Sequence, residues 1–312
     1  MILTVTLNSA LDRLLFIDEF RPGATMRPYQ MLEGVGGKGF DVSVVLQTLG
    51  AENLALGVVA GPTGRQLINL LDKYGINYEL VWVEGETRIA HVIIETAHHR
   101  HSHLVAAGLS VSAEGYREFI ERYERLLSQA SWVIAGGSLA TGVPASAYAE
   151  LAEIARRQGV PMLIDSAGPP LVEAAAVRPA ILKMNEIEFS ESFGIQAGSL
   201  TELRLKAQAL RDQNQLPALV ITCGAAGILA LTPEGSYLAA APPQQAANAA
   251  GAGDGVSAAL AWRLAQGYNW PEALRWAAAT GAAVVLTEVT AECHWADIER
   301  LAGQTTVEVW EK

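Results

Sequence analysis

Asp254 closes the run Ala250-Gly251-Ala252-Gly253-Asp254, just ahead of a helical pattern over 255–266. Glycines at such a place allow positive φ and close approach of backbone to a ligand. The helix start behind them offers unpaired N–H groups at the positive end of the helix dipole. A carboxylate beside those groups can take the proton of an approaching hydroxyl while the N–H groups hold charge on a transferring phosphoryl group. That is a complete physical plan for phosphorylating an alcohol; an ordinary helix cap is the plain alternative for the same aspartate. A second cluster, Gly36-Gly37-Lys38-Gly39, precedes a helical pattern that ends at Gly50. It offers either another anion cradle or a tight strand-to-helix turn. Neither cluster matches the P-loop pattern GxxxxGK[ST] or a complete GxGxxG fingerprint.

The elements that must carry these clusters follow a βαβ cadence. An apolar, β-branched run at 1–7 reads as a first strand, and strands are expected at 54–59, 132–136, 161–165, 181–184 and 218–222. Helical patterns separate them at 113–129, 145–158, 170–177, 186–193 and 200–213. Strands at 227–231 and 236–240 look like a hairpin, and helices at 255–266 and 270–286 close the body. This cadence predicts a three-layer α/β fold with a mostly parallel sheet. Residues 80–106 break it with strand-like segments joined by tight turns. Together with 14–20 they form either a small separate β-sheet over a cleft or edge strands of the main sheet.

Composition narrows the setting. The chain has 312 residues, 50% of them hydrophobic and 18% charged, which excludes a disordered composition. With 33 acidic and 22 basic side chains the net charge is −11, an argument against nucleic acid or an anionic membrane as partner. Cys223 and Cys293 belong to no ligand cluster and read as reduced thiols of a cytoplasmic protein. The first residues lack a secretory pattern, and apolar runs such as 277–286 are too short to span a bilayer.

Four stretches, in order along the chain, resemble the ribokinase-like superfamily of PfkB carbohydrate kinases. They are GGKGFDVSVVLQTLG from Gly36, KMNEIEFSESFG from Lys183, ITCGAAGILAL from Ile221 and NAAGAGDGVSAALAWRLAQG from Asn248. The start TLNSALDRLLFIDEFRPGATMR and the stretch ETRIAHVIIE are similar to the branch acting on phosphorylated hexoses, such as 1-phosphofructokinase and tagatose-6-phosphate kinase. The resemblance implies a single kinase domain over 1–312, a ribokinase-like α/β/α fold, and a small β-sheet lid from about 11–35 and 80–107. It implies ATP and Mg2+ as cofactors, and a sugar phosphate as acceptor: fructose 1-phosphate, fructose 6-phosphate or tagatose 6-phosphate. A homodimer formed through the lid is expected.

The same resemblance distributes roles. Asp254 is the expected base, and Gly251, Ala252 and Gly253 the anion hole. Asp12, Gly37, Lys38, Asp41 and Ser138 fall on the sugar side, with Arg27, Lys38 and Arg88 able to grip a phosphate through charge-assisted bonds. Lys183, Asn185, Thr222, Gly224, Gly227, Ala279 and Ala283 fall on the nucleotide side. Glu188 is the expected Mg2+ residue, acting through water.

Two departures matter. The family usually has Asn where this chain has Asp41, and an ionised carboxylate can only accept where an amide also donates. Gly137 and Ala140 alter the segment around Ser138. Both features support the alternative of an unphosphorylated sugar, a sugar acid or a nucleoside as acceptor. A binding protein without catalysis is the other class weighed. The stretch AHHRHSH at 97–103 reads as a solvated hairpin or a subunit contact rather than a metal site.

Overall fold

The computed structural model describes residues 1–98 and 100–310. The chain opens with β1 (Ile2–Thr6), β2 (Ala10–Ile17) and β3 (Gln30–Gly36), then α1 (Lys38–Thr48) and β4 (Asn53–Val59). Next come α2 (Gly61–Lys73), β5 (Asn77–Trp82), β6 (Arg88–Glu95) and β7 (Arg100–Val105). The middle runs α3 (Ala113–Leu127), β8 (Trp132–Gly136), α4 (Ala147–Arg157), β9 (Met162–Asp165), α5 (Pro169–Ala176), β10 (Ile181–Asn185) and α6 (Glu186–Phe193). The last part holds α7 (Leu200–Asn214), β11 (Leu219–Thr222), β12 (Ile228–Thr232), β13 (Gly235–Ala240), α8 (Ala252–Ala265), α9 (Trp270–Val284), α10 (Trp295–Ala302) and β14 (Thr306–Val309).

Ten strands form one sheet in the order β14-β13-β12-β11-β10-β9-β8-β1-β4-β5. From β5 to β11 every neighbour is parallel, and β12, β13 and β14 add antiparallel at one edge. Parallel strands covered on both faces need apolar residues at successive positions. In β1, Leu3 and Val5 enter the core shared with α3 to α7, while Ile2 enters the core shared with α1, α8, α9 and α10. In β10, Leu182 and Met184 join the first core and Ile181 the second. This is the α/β sheet with helices on both faces that the cadence predicts.

The second sheet has four strands in the order β3-β2-β6-β7. Its central pair, β2 and β6, is parallel, with Ala10 opposite Arg88 and Asp12 opposite Ala90. Leu14, Phe16, Val92 and Ile94 form its own apolar cluster, joined by Leu32.

The strand expected at 80–83 does not join this small sheet. Leu80 and Val81 belong to β5, which pairs parallel with β4 at the edge of the large sheet. The reason is the preceding helix: α2 carries Leu67 and Leu71 across the sheet, and Leu80 packs into the same cluster with Phe40 and Val44. Two strands escaped the sequence reading. β3 lies in the stretch assigned to the lid without a strand of its own and ends at the first glycine of the Gly36–Gly39 cluster, and β14 is a four-residue strand whose pattern is too short for a periodicity argument. Among the described residues no helix is long and apolar enough to cross a membrane.

Candidate active site

The carboxyl ends of the parallel strands converge where ligands bind in open α/β sheets. Asn8 follows β1, Gly137 and Ser138 follow β8, Asp165 ends β9, Asn185 ends β10 and Thr222 ends β11. Above them lie the N-termini of α1 and α8.

Gly251 is the N-cap of α8, with φ 84°. A Cβ there would strike the backbone of Ala291, so the turn requires glycine twice over. Asp254 sits in the first turn, 7% exposed, and its Oδ1 has no hydrogen-bond partner among the described residues. Burial first, then the charge of Asp165, push its carboxyl up to about 7, against the pull of Lys38 and Lys183. The Ala252 N–H lies 3.4 Å from the Ala249 carbonyl, while among the described residues the N–H groups of Gly251, Gly253 and Asp254 meet no backbone acceptor.

Asp165 organises the floor. It is 1% exposed and accepts from Lys38 Nζ and Lys183 Nζ, both at 2.6 Å, and from Ser257 Oγ at 3.0 Å. Burial opposes its ionisation, but the two lysines hold it down at about 2. Lys38 also reaches Glu188 Oε1 at 3.2 Å. Burial works against its charge, and Asp165, Glu188 and Asp254 more than restore it, so its pKa is raised.

Glu188 and Asn185 form a reciprocal capping box at the start of α6. Asn185 accepts from the Glu188 N–H at 2.8 Å, and the Glu188 carboxylate accepts from the Asn185 N–H at 2.8 Å. Both Glu188 oxygens are therefore engaged. That suits holding a hydrated Mg2+ through water better than direct ligation, and no group of three or more ligating side chains converges among the described residues.

Beside Gly253 opens a cavity of about 430 Å³. Asn185, Thr222, Gly224 and Gly227 line one end, and the loop Pro242, Pro243 and Gln244 another side. Gly227 has φ 103°, and a Cβ there would strike the Ala239 carbonyl. The wall from α9 is Ala278, Gly281 and Ala282, with Val285 just after the helix. This set is offset from the pair expected from sequence. Ala279 and Ala283 are 0% and 1% exposed and face the core, because the helix turns those positions toward α8 and the sheet.

Opposite this cavity the small sheet presents Asp12 and Arg88. Asp12 is 8% exposed, and burial raises it to about 6, against the pull of the nearby Thr290 hydroxyl and of the Arg88 charge. Arg88 donates to the Asn8 carbonyl and to Ser138 Oγ, both at 3.5 Å, and Asn8 Nδ2 donates to Ser138 Oγ at 3.0 Å. Asp41, buried on α1, lies in the field of both Asp12 and Asp254. Gly37, at φ 108°, caps α1 against Thr6.

Three basic residues expected at the site are placed differently. Arg27 is exposed in the connection from β2 to β3, with no salt bridge among the described residues. The Lys38 ammonium is committed to Asp165 and Glu188 rather than left open for a phosphate. Lys183 is 2% exposed, with its Nζ beneath Gly253, and supports the turn from below instead of lining the cavity. Asp165, Asn8, Ser257 and Thr290 were missed as site residues. Asp165 carried one signal, its position at the carboxyl end of a predicted parallel strand. In the histidine stretch, His99 lies outside the described residues; His98 Nε2 is 3.6 Å from Glu95 Oε1, and His101 lines a small cavity with Gln245 and Ala247.

Known proteins resemble this chain over most of its length. A family model described as pfkB family carbohydrate kinase matches residues 3–297. The ATP-dependent 6-phosphofructokinase isozyme 2 of Mycobacterium tuberculosis is 30% identical over 98% of this chain and 91% of its own length. The D-tagatose-1-phosphate kinase of Bacillus licheniformis is 32% identical over 90% of this chain and 91% of its own. Among solved structures, a "Possible 1-phosphofructokinase" from Thermotoga maritima superposes with a TM-score of 0.90 at 26% identity, covering 99% of both chains.

Proposed function

The chain belongs to the pfkB family of carbohydrate kinases, and from that premise we propose that it transfers a phosphoryl group from ATP to a hydroxyl of a sugar phosphate. Fructose 1-phosphate, fructose 6-phosphate and tagatose 6-phosphate are the proposed acceptors. One observation carries the reading: a buried carboxylate with an open Oδ1, Asp254, stands at a helix N-terminus beside a cavity, with Asp41 and Asp12 beyond it.

In this reading Asp254 accepts the proton of the attacking hydroxyl, and the Gly253 and Asp254 N–H groups hold negative charge in the transition state. Asp12 accepts from sugar hydroxyls and orients the acceptor. Arg88, braced by Asn8 and Ser138, holds an anionic group. Thr222, Gly224 and Gly227 cradle nucleotide phosphates, and Ala278, Gly281 and Ala282 leave room for a flat base. When bound, ATP supplies the phosphoryl group and Mg2+ neutralises phosphate charge; Glu188 and Asn185 are the residues that fit that ion. The exposed Arg27 and the committed Lys38 favour a second reading, an acceptor without a phosphate, since fewer cations remain free on the sugar side.

The small sheet is proposed to cover the acceptor and to pair two copies, since Met31, Leu104 and Val105 on it are more than half exposed. Light scattering over a concentration range checks this, and a monomer throughout would sink it. A cytoplasmic location is part of the same reading. The test of function is coupled ADP release across hexose phosphates, free sugars and nucleosides. Turnover of a hexose phosphate with KM well below that for the free sugar is expected; turnover of nucleosides alone would overturn the assignment.

A further inference from the structure

Asp41 stands in the first turn of α1 and is 5% exposed, yet its Oδ1 has no hydrogen-bond partner among the described residues. The charges around it come from several elements. Asp254 faces it from α8 and Asp12 from β2, both acidic. Lys38, on α1 itself, is the nearby cation, and its ammonium is already held by Asp165 and Glu188. The Gly37 backbone gives some relief. Tyr74, after α2, lies on the remaining side and donates its phenol to Glu292 at 2.6 Å. Of the strands packed on α1, β1, β4 and β8 carry no ionisable residue, and Glu33 of β3 is paired with Arg13.

Two like charges and near-complete burial disfavour a third carboxylate here. Asp254 differs, because both Lys38 and Lys183 act on it. When environments separate two acids in this way, the less compensated one keeps the proton. Burial, then Asp254 and Asp12, accordingly hold Asp41 well above the usual carboxylate range.

We propose that Asp41 works as a carboxylic acid that donates a hydrogen bond to a substrate hydroxyl, which in turn donates to Asp12 or Asp254. This rests on the kinase reading above. It corrects the sequence expectation that an aspartate at this position can only accept. A protonated carboxyl is a donor and an acceptor, so the acceptor hydroxyl is held between one donor and one anionic acceptor. Substrate capture then requires one proton on the cluster, and ionisation of Asp41 both removes the donor and adds a charge that repels an anionic sugar.

The test uses the full chain with its best acceptor, measuring KM and kcat separately from about pH 6 to about pH 9. The wild-type KM should rise about tenfold per pH unit once Asp41 ionises, without a matching fall in kcat. D41N keeps a neutral donor at every pH and should lose that alkaline rise. D41A should raise KM about tenfold at neutral pH, with no alkaline rise. A flat wild-type KM, a D41N chain that keeps the rise, or a D41N chain as weak as D41A at neutral pH would each overturn the donor role. Infrared difference spectra of wild type minus D41N supply a readout apart from turnover. A protonated-carboxyl C=O band at neutral pH is expected, and an ionised-carboxylate band in its place refutes the inference. A chain that phosphorylates no sugar or sugar phosphate removes the kinase reading itself, whereas turnover with a flat KM removes the Asp41 inference alone.

Discussion

Replacing Asp254 by asparagine should abolish turnover and yet stabilise the fold, by an amount that grows with pH. Asp254 is 7% exposed, and burial and Asp165 raise its carboxyl from 3.8 to about 7. A raised folded-state value means that the native protein binds the proton more tightly than the unfolded chain does. The stability so gained is complete below the unfolded value and is lost as pH rises through the folded value. A shift of about three units is worth about 4 kcal/mol at about 1.4 kcal/mol each. Asparagine has nearly the same shape and never ionises. D254N and wild type should therefore unfold alike near pH 4 and separate by about 1.4 kcal/mol per pH unit until about pH 7. Above that the variant should be more stable by about 4 kcal/mol, or about 6 °C in Tm for a chain of this length. Turnover should fall about 10²–10⁴-fold, the usual contribution of a general base. Thermal unfolding across pH, set beside kcat, reads both effects. A Tm gap that does not change with pH, a D254N chain less stable than wild type in alkali, or retained turnover would refute the electrostatic account of this residue.

Other outcomes follow from the same geometry. D165N leaves the Lys38 and Lys183 ammoniums without their shared carboxylate and should cost about 3–5 kcal/mol in denaturant unfolding near neutral pH. Because Asp165 is held down at about 2, its stabilisation is present above 3.8 and is lost as pH falls through about 2, so variant and wild type should converge in strong acid. The same change removes a negative neighbour of Asp254 and should move the acid limb of kcat to lower pH. G251A forces a Cβ onto a backbone at φ 84° and against Ala291; a loss of about 1–3 kcal/mol in stability and a larger fall in kcat than in ATP affinity are expected. A282F fills the α9 wall of the cavity and should weaken ATP binding about tenfold or more by titration calorimetry, with little change in Tm.

The legible parts of the fold were those with local causes. β1 read as a buried strand because it is a short β-branched run, and β10 because Ile181, Leu182 and Met184 fall in place in the βαβ cadence. α3 read as a helix because its apolar positions repeat at helical spacing and Ser112 caps it through the Gly115 N–H. β5 was misassigned because nothing inside Leu80 or Val81 says which sheet they join; Phe40, Val44 and Leu67 decide that from elsewhere in the chain. The nucleotide-side wall shows the same limit in finer form. That α9 contributes small residues was readable, but whether Ala279 or Ala278 faces the cavity depends on how the helix is rotated against α8.

The sequence by itself determined the family, the sheet's cadence and Asp254 with its glycine turn, because each is written in contiguous residues whose chemistry acts locally. Only the tertiary structure decided the charges. Asp165 gains its place from two lysines that are 127 and 18 residues away, Lys38 is turned from a free cation into a bridge to Glu188, and Asp41 is surrounded by carboxylates from α8 and β2. Protonation depends on burial and on neighbours within a few ångströms, and folding alone brings those neighbours together.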